Sequence, residues 1–381
     1  MARITKESQG YNFGHEAAVD VGVSESPLVS VAISNYNYER FLGEAVDSAL
    51  NQTYPNVEVV VVDDGSTDGS REIIASYGDR IVPVLKGNGG QASACNAGFR
   101  ASKGEITIFF DADDVLLPDT VGRVVEAFRS RTGVAKVQYR QRIVDTSGRY
   151  TGRNQLPDHV RMQSGDLRPQ VLEDGQYAWP STSGNAFASA VLRRILPIPE
   201  DLCRGFPDIH LCNLSAIFGP VITLDEPGSL YRIHGRNAYY GSYGFMNSTS
   251  LDKLRKILVA VADNHARQRR LFKELYSVEA RNAEPRDLHF LCEKMISLKL
   301  DHRNHPFGEN LLSLFIRGCV LSAIHPDPNL YKYVRLLYIA WFTVMLLAPK
   351  PLARSLAEMV YYSERRGRLY GKLLPLLRWF S

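Results

Sequence analysis

The chain has 381 residues, 45% of them hydrophobic and 23% charged, and a net charge of +4. That composition excludes collagen, coiled coil and wholesale disorder, and the length suits two domains or three. The 45 basic side chains are matched by 41 acidic ones, so there is no basic footprint of the kind a nucleic-acid partner requires.

Residues 1–26 are polar and without period, and read as an extension. LVSVAIS, after Pro27, is a valine-rich apolar run of the kind that forms a strand buried on both faces. Phe41, Leu42, Ala45, Val46, Ala49 and Leu50 then recur at helical spacing. Val57–Val62 is a second strand, Ser70–Tyr77 a helix, and Ile81–Leu85 a third strand. Gln91–Ser102 predicts a helix, Ile106–Phe110 a fourth strand, and Pro118–Ser130 a helix with proline in its first turn. Strands alternating with helices imply βαβ units and a mostly parallel sheet. Residues 150–190 are rich in Gly, Pro and Ser and suggest long loops, and short apolar runs return at Val221–Leu224 and Leu230–His234. From Leu251 the pattern is helical, which places a boundary near residue 248.

Five cysteines, Cys95, Cys203, Cys212, Cys292 and Cys319, are scattered and include no CxxC pair. They read as free thiols in a reducing cytosol rather than as a disulfide or zinc framework. MARITKESQG has no apolar segment, so no secretory signal is expected. The longest uncharged apolar run, Leu336 to Pro349, has 14 residues, short of the ~20 a spanning helix needs. The expectation is a cytoplasmic protein without a transmembrane helix.

In a parallel α/β sheet, ligands bind beyond the carboxyl ends of the strands. Ser34-Asn35-Tyr36-Asn37 follows strand one, Asp63-Asp64-Gly65-Ser66 strand two, and Asp111-Ala112-Asp113-Asp114 strand four. Residues i and i+2 of an extended chain face the same way, so Asp111 and Asp113 can meet a divalent cation together. Asp63 and Asp64 point oppositely, and one of them is expected to face the pocket. Asp68 and Asp114 read as turn or cap residues. Gly87-Asn88-Gly89-Gly90-Gln91-Ala92 fits the dinucleotide pattern, but it sits in the third βα turn and not the first. Its helix N-terminus could instead face a diphosphate. A sugar-phosphate nucleotidyltransferase would carry a Gly-rich loop after the first strand, where SNYNYERF has no glycine.

VSVAISNYNYERFLGEAVDSALNQTYPNVEVVVVDDGSTDGS, then GGQASACNAGFRASKGEITIFFDADD, TSGNAF, FPDIHL and YRIHGRN in that order, resembles the family 2 glycosyltransferases with the GT-A fold. The resemblance covers about residues 27–240. It implies a GT-A nucleotide-sugar-binding domain, which with the boundary near 248 spans 27–248 and leaves the helical pattern of 249–381 as a C-terminal region. It also implies an inverting enzyme that moves a sugar from a nucleotide-sugar donor, UDP being the commonest nucleotide, to a saccharide or lipid-linked acceptor. By position, Ser34, Asn35, Tyr36, Asp64, Gln91 and Asp111 belong around the nucleotide sugar. Asp113, Asp111 and His234 belong around Mn²⁺ or Mg²⁺, and Asp208 is the acceptor-side base. Pro207 stands where the family often has Glu, and Cys95 where many relatives have Arg. Arg232 or Arg236 would compensate for the latter, and His210 is a weaker metal candidate. The competing class is a nucleotide-sugar-binding protein of this fold without turnover. Intact Asp111, Asp113 and Asp208 argue against it.

Residues 350–381 hold seven basic and two acidic side chains interleaved with Leu, Tyr and Trp. Such a stretch reads as a peripheral membrane contact, or else as a packed helical pair with a solvated basic face.

Overall fold

The computed structural model describes residues 22–156, 158, 160–234, 237, 251–280, 282–285, 287–324 and 332–361. The polar extension, Arg236, the boundary near 248 and the chain beyond 361 lie largely or wholly outside the described residues. By contacts the chain divides into two compact units. One contains the described residues up to His234 together with Asp263–Glu284. The other contains those of Gly235–Ala262 and those from Pro285 onward.

The first unit opens on alternating strands and helices: β1 (Val29–Asn35), α1 (Glu39–Leu50), β2 (Val57–Asp64), α2 (Ser70–Ser76), β3 (Val82–Lys86), α3 (Gln91–Ala101) and β4 (Ile106–Asp111). β3, β2, β1 and β4 pair in that order, all parallel. Val59–Val62 and Ile106–Phe110 are buried. That matches their unbroken apolar runs, each large apolar side chain contributing about 1.5–3 kcal/mol on burial. α1 turns Phe41, Leu42, Ala45, Val46 and Ala49 inward as its spacing requires. α3 lies close against the sheet: a Cβ on Gly98 would meet Ala32 Cβ at 3.1 Å.

Beyond β4 come β5 (Val115–Leu116), α4 (Thr120–Ser130), β6 (Lys136–Val144), β7 (Tyr150–Asn154), α5 (Arg168–Asp174), β8 (Asn185–Ala188), α6 (Ser189–Ile195), α7 (Asp208–Phe218) and β9 (Val221–Arg232). The sheet continues β4-β8-β6-β9-β5, with β7 beside β6. β4–β8, β8–β6, β6–β7 and β9–β5 are antiparallel, and β6–β9 is parallel.

Three expectations are corrected here. The helix expected from Pro118 starts at Thr120, because Val115 and Leu116 are held extended against Leu230 and Ser229 and Leu117 N bonds Gly228 O. The two apolar runs after residue 220 are one strand, β9, whose register against β6 shifts between Tyr139 and Gln141 to pass Pro227 and Gly228. Residues 150–190 are not all loop, since they contain β7, α5 and β8.

α8 (Leu251–Tyr276) contributes its later residues, from Asp263, to the first unit. There Asn264 Nδ2 bonds Ile209 O and Gln268 Nε2 bonds Gly175 O. The second unit holds α9 (Leu288–Leu300), α10 (Leu311–Ile324), α11 (Lys332–Leu347) and α12 (Lys350–Tyr361). Its core gathers Leu291, Met295, Leu314, Phe342, Met345 and Ala353. Among the described residues no helix is long and apolar enough to cross a membrane.

Candidate active site

The register places Ser34 of β1 opposite Asp111 of β4, and Asn35 opposite Asp63 of β2. Three strand ends therefore meet at one edge. Asp111 is the last residue of β4, and its Oδ1 accepts from Gln91 Nε2 at 2.7 Å. Burial, then the nearby charges of Asp113 and Asp208, push its carboxyl well above the usual range. Asp113 is buried, and its Oδ2 lies 2.9 Å from His234 Nε2, just past β9. The imidazole is held between Tyr38 and Phe41, with ring centroids at 5.3 and 5.0 Å.

Asp208 is the first residue of α7, a helix otherwise buried along its length. Its Oδ1 accepts from Thr182 Oγ1 at 2.8 Å. Gln91 Nε2 also reaches Thr182 Oγ1, at 3.3 Å. A chain of side chains thus runs Asp208–Thr182–Gln91–Asp111 and joins two ends of the site 97 residues apart in sequence. Burial raises the Asp208 carboxyl to about 6, against the lowering effects of the Thr182 bond and the Lys136 charge.

The remaining residues sort by what they touch. Asn35 is buried, and its Nδ2 donates to Asp63 Oδ1 and Ser66 Oγ, both at 3.1 Å. Tyr36 is 46% exposed at the mouth of that edge. Asp63 and Asp64 do point apart, yet both are buried. Asp63 takes Ser66 N at 3.1 Å and Arg71 Nε at 2.8 Å. Asp64 takes Lys86 Nζ, Gly89 N at 2.9 Å and Gly90 N at 2.7 Å.

These bonds take up N–H groups at the α3 N-terminus, which could have faced a diphosphate. Asp64 occupies the two glycine N–H groups, and Ala92 N bonds Arg204 O. Gly90 is fixed by this arrangement. It has φ +90°, and a Cβ there would lie 2.7 Å from Arg204 O, so a side chain would strain the loop.

Other expectations change as well. Asp114 is more than a turn residue: it is buried, and its Oδ1 accepts Arg232 N at 3.0 Å. Asp68 does serve the turn, accepting Ser70 N and Glu39 N. His210 is buried on Ile195 O at 2.6 Å, and burial lowers it to about 4, so it does not reach the metal position. Arg232 is committed to Glu44 at 2.6 Å and to Asp113 O at 3.0 Å. Cys95 is buried, with its thiol pushed up by burial and by Asp111 and Asp208.

The three expected metal ligands are not brought together as a group. Among the described residues no three His, Cys, Asp or Glu side chains converge as a metal set. Asp113 and His234 do converge, and Asp111 stands nearby on Gln91. Two protein donors next to an uncompensated buried carboxylate fit a hard cation that takes its other ligands from a phosphorylated substrate and water. Sequence reasoning matched TSGNAF without giving Thr182 a role. Its signal was the motif itself, lying between the two carboxylate motifs.

The model of the family "Glycosyl transferase family 2" matches residues 30–194. An uncharacterised glycosyltransferase of Nostoc sp. is 39% identical over 218 residues, 55% of this chain and 66% of the relative. The chondroitin synthase of Pasteurella multocida is 37% identical over 194 residues, 50% of this chain and 18% of that protein. The matched region thus spans less than two thirds of these relatives. Among solved structures, S. aureus TarS residues 1–349 in complex with UDP-GlcNAc superposes with a TM-score of 0.54 at 17% identity, covering 87% of this chain and 91% of that one.

Proposed function

We propose that this chain, whose residues 30–194 match the model of glycosyl transferase family 2, moves a sugar from a nucleoside-diphosphate sugar to a hydroxyl acceptor with inversion at the anomeric carbon. One observation carries the reading: two buried carboxylates held by neutral groups, Asp111 and Asp208, are tied together through Gln91 and Thr182, and Asp113, two residues beyond Asp111, meets His234.

The acceptor oxygen forms a bond to the anomeric carbon while the bond from that carbon to the diphosphate oxygen breaks. The leaving nucleoside diphosphate takes the electron pair. Asp208 takes the acceptor proton at the oxygen that Thr182 does not occupy. An alcohol needs such a positioned base, and a group raised to about 6 is ionised at neutral pH while remaining a competent acceptor. Asp113 and His234, with Asp111 beside them, would hold Mn²⁺ or Mg²⁺, which neutralises charge on a departing diphosphate. Ser34, Tyr36, Gln91 and Asp111 belong to the wall that meets the nucleotide sugar. Asn35 and Asp64 hold the strand and loop ends from which that wall is built.

UDP-GlcNAc and other UDP-sugars are the first donors to test, with saccharide and lipid-linked acceptors. The experiment is product analysis with Mn²⁺ and each donor. Transfer with inverted configuration supports the reading. Donor binding without transfer or slow hydrolysis, across donors and acceptors, overturns it in favour of a binding protein.

We further propose that the second unit meets an anionic membrane surface. Leu312, Ile316 and Val320 on α10, and Leu336, Val344 and Leu347 on α11, are exposed at helical spacing. They precede the seven-to-two basic excess of residues 350–381. Exposed apolar faces followed in the sequence by basic side chains suit an interfacial helix pair. Flotation with anionic and neutral vesicles tests this, and equal absence from both overturns it.

A further inference from the structure

Lys136 opens β6 and is fully buried. Among the described residues it has no carboxylate within ion-pair distance. Its Nζ donates to Gln138 Oε1 at 2.9 Å and to Tyr177 Oη at 3.0 Å, and it lies 5.1 Å from the Tyr177 ring centroid. Both acceptors are held in that role. Gln138 spends its amide N–H groups on Thr223 Oγ1 at 2.9 Å and Gln163 O at 3.2 Å, so its carbonyl faces the lysine. Tyr177 gives its proton to Cys212 O at 3.0 Å, so its oxygen accepts from Nζ. The third neighbour is the Cys212 thiol, a weak donor and weak acceptor. This surrounding suits an ammonium, which offers three donors, better than an amine, whose lone pair needs a donor.

A buried ammonium among neutral groups is costly. Its place in the fold supplies a reason for it. Cys212 is four residues after Asp208 on α7, hence one turn along on the same face. Asp208 is likewise without a cation at contact distance, since its bonded partner is the Thr182 hydroxyl. A cation and an anion, each held by neutral groups, therefore lie against the same opening turns of α7. A direct ion pair would occupy the carboxylate oxygens and weaken the base. A cation set back behind the helix favours the ionised form and leaves an oxygen open to the acceptor.

We propose that Lys136 is a positioning residue for Asp208, its buried charge holding the carboxylate ionised while Tyr177 ties that charge to the helix. The proposal rests on the reading of Asp208 as the base. The groups facing Asp208 are Thr182 from the turn before β8, Lys136 from β6, Asp111 from β4, Cys95 from α3 and Cys212 on its own helix. Lys136 is the cation of that set, and Asp111 acts in the opposite sense.

The test uses the full chain carrying Lys136→Met, with folding checked by thermal melting. The acid limb of kcat/KM should move up by about one pH unit, the scale of a lost neighbouring charge. The donor KM and the high-pH plateau should stay within about threefold, below the factor of ~10 that 1.4 kcal/mol represents. A purely structural lysine would lower the plateau and leave the limb in place, and that result overturns the proposal. Carboxyl-¹³C NMR of aspartate-labelled protein, with Asp208→Asn to assign the signal, reads the same shift without turnover. If no donor is transferred, the functional reading fails while this measurement still decides the lysine's role. Where Lys136→Met does not fold, Lys136→Gln keeps a polar terminus without the charge. If neither neutral variant folds, the lysine is a folding element and the proposal falls.

Discussion

At the end of β2, Asp63 and Asp64 are buried and answered: Arg71 and Ser66 meet the first, Lys86 and two glycine N–H groups the second. At the end of β4, and across from it, Asp111, Asp113, Asp114 and Asp208 lie near one another, and Asp111 and Asp208 are bonded by the neutral Gln91 and Thr182 rather than by cations. The two ends respond in opposite directions. Burial raises Asp63, but its bonds to Ser66, Arg71 and Asn35 outweigh that and hold it below the usual range. Burial raises Asp111 and Asp114 as well, and there the neighbouring carboxylates add to the rise. Paired aspartates after an apolar strand are thus not one kind of feature. The β2 pair is spent on building the edge, and the β4 group keeps a negative charge that a cation and a substrate can use.

The sharpest test of the β4 end is Asp208→Asn. The shape is kept and the proton acceptor lost, so turnover should fall by ~10²–10⁴ with donor affinity intact. Turnover within about threefold of wild type, less than a factor of ~10 in rate, would reduce Asp208 to a helix-capping residue. In the wild type, an ionised base is required and Asp208 sits at about 6. Turnover should therefore drop about tenfold per unit as pH falls below that value, and a flat pH profile from 5 to 7 would exclude this base.

Next in size is the cation. His234→Ala, which removes one of the two proposed protein donors, should weaken Mn²⁺-dependent donor binding by at least about 10–100-fold, the loss that even a group supporting a metal ligand causes, and Asp113→Ala at least as much. Titration calorimetry showing the same donor affinity with EDTA as with Mn²⁺ would break the comparison at its strongest point.

A smaller effect lies in stability. Asp208 binds its proton more tightly folded than unfolded, so the folded state loses stability as pH rises from the unfolded value of 3.8 through about 6. Asp208→Asn removes that penalty. The variant should melt higher than wild type at pH 7 by about 1–2 °C, roughly 1 kcal/mol for a protein of this size, and by less at pH 5. A variant whose gain is the same at both pH values would show that the carboxylate is not strained.

Much of this arrangement was legible in the chain. The parallel pairing of the first four strands was expected from apolar runs alternating with helical patterns, because a strand covered on both faces has little other composition open to it; their order β3-β2-β1-β4 was not read from the chain. Asp111 and Asp113 were found through their place after such a run. The Asp64–glycine loop closure could not be read, because it depends on Gly89 and Gly90 being folded back across β3 onto β2. The metal trio was over-read. Spacing gives Asp111 and Asp113 a common direction, but the Gln91 bond holds Asp111 aside, and that bond joins residues 20 apart. Thr182 and Lys136 have no local signature at all: one is a threonine in a turn, the other a lysine at the start of a strand that composition would place in solvent. Their roles exist only once β6, β8 and α7 are packed.

The smallest expected effect falls on the β2 end, and it asks whether that end is as closed as its bonds suggest. Lys86 is partly exposed at 22%, whereas Asp64 is 4% exposed. Lys86→Met therefore removes a cation from a carboxylate that cannot turn to water. Asp64 would keep Gly89 N and Gly90 N, so the loss is that of one charged hydrogen bond, about 1–3 kcal/mol. Melting should fall by a few degrees. Mn²⁺-dependent donor affinity should stay within about twofold, a change of ~0.4 kcal/mol, because the stability of the loop and the charge of the β4 end are separate quantities. A Lys86→Met protein that melts like wild type but binds donor tenfold more weakly, ~1.4 kcal/mol, would reverse the assignment. It would place Lys86 and Asp64 in contact with the nucleotide, and the β2 pair would then count with the site rather than with the scaffold.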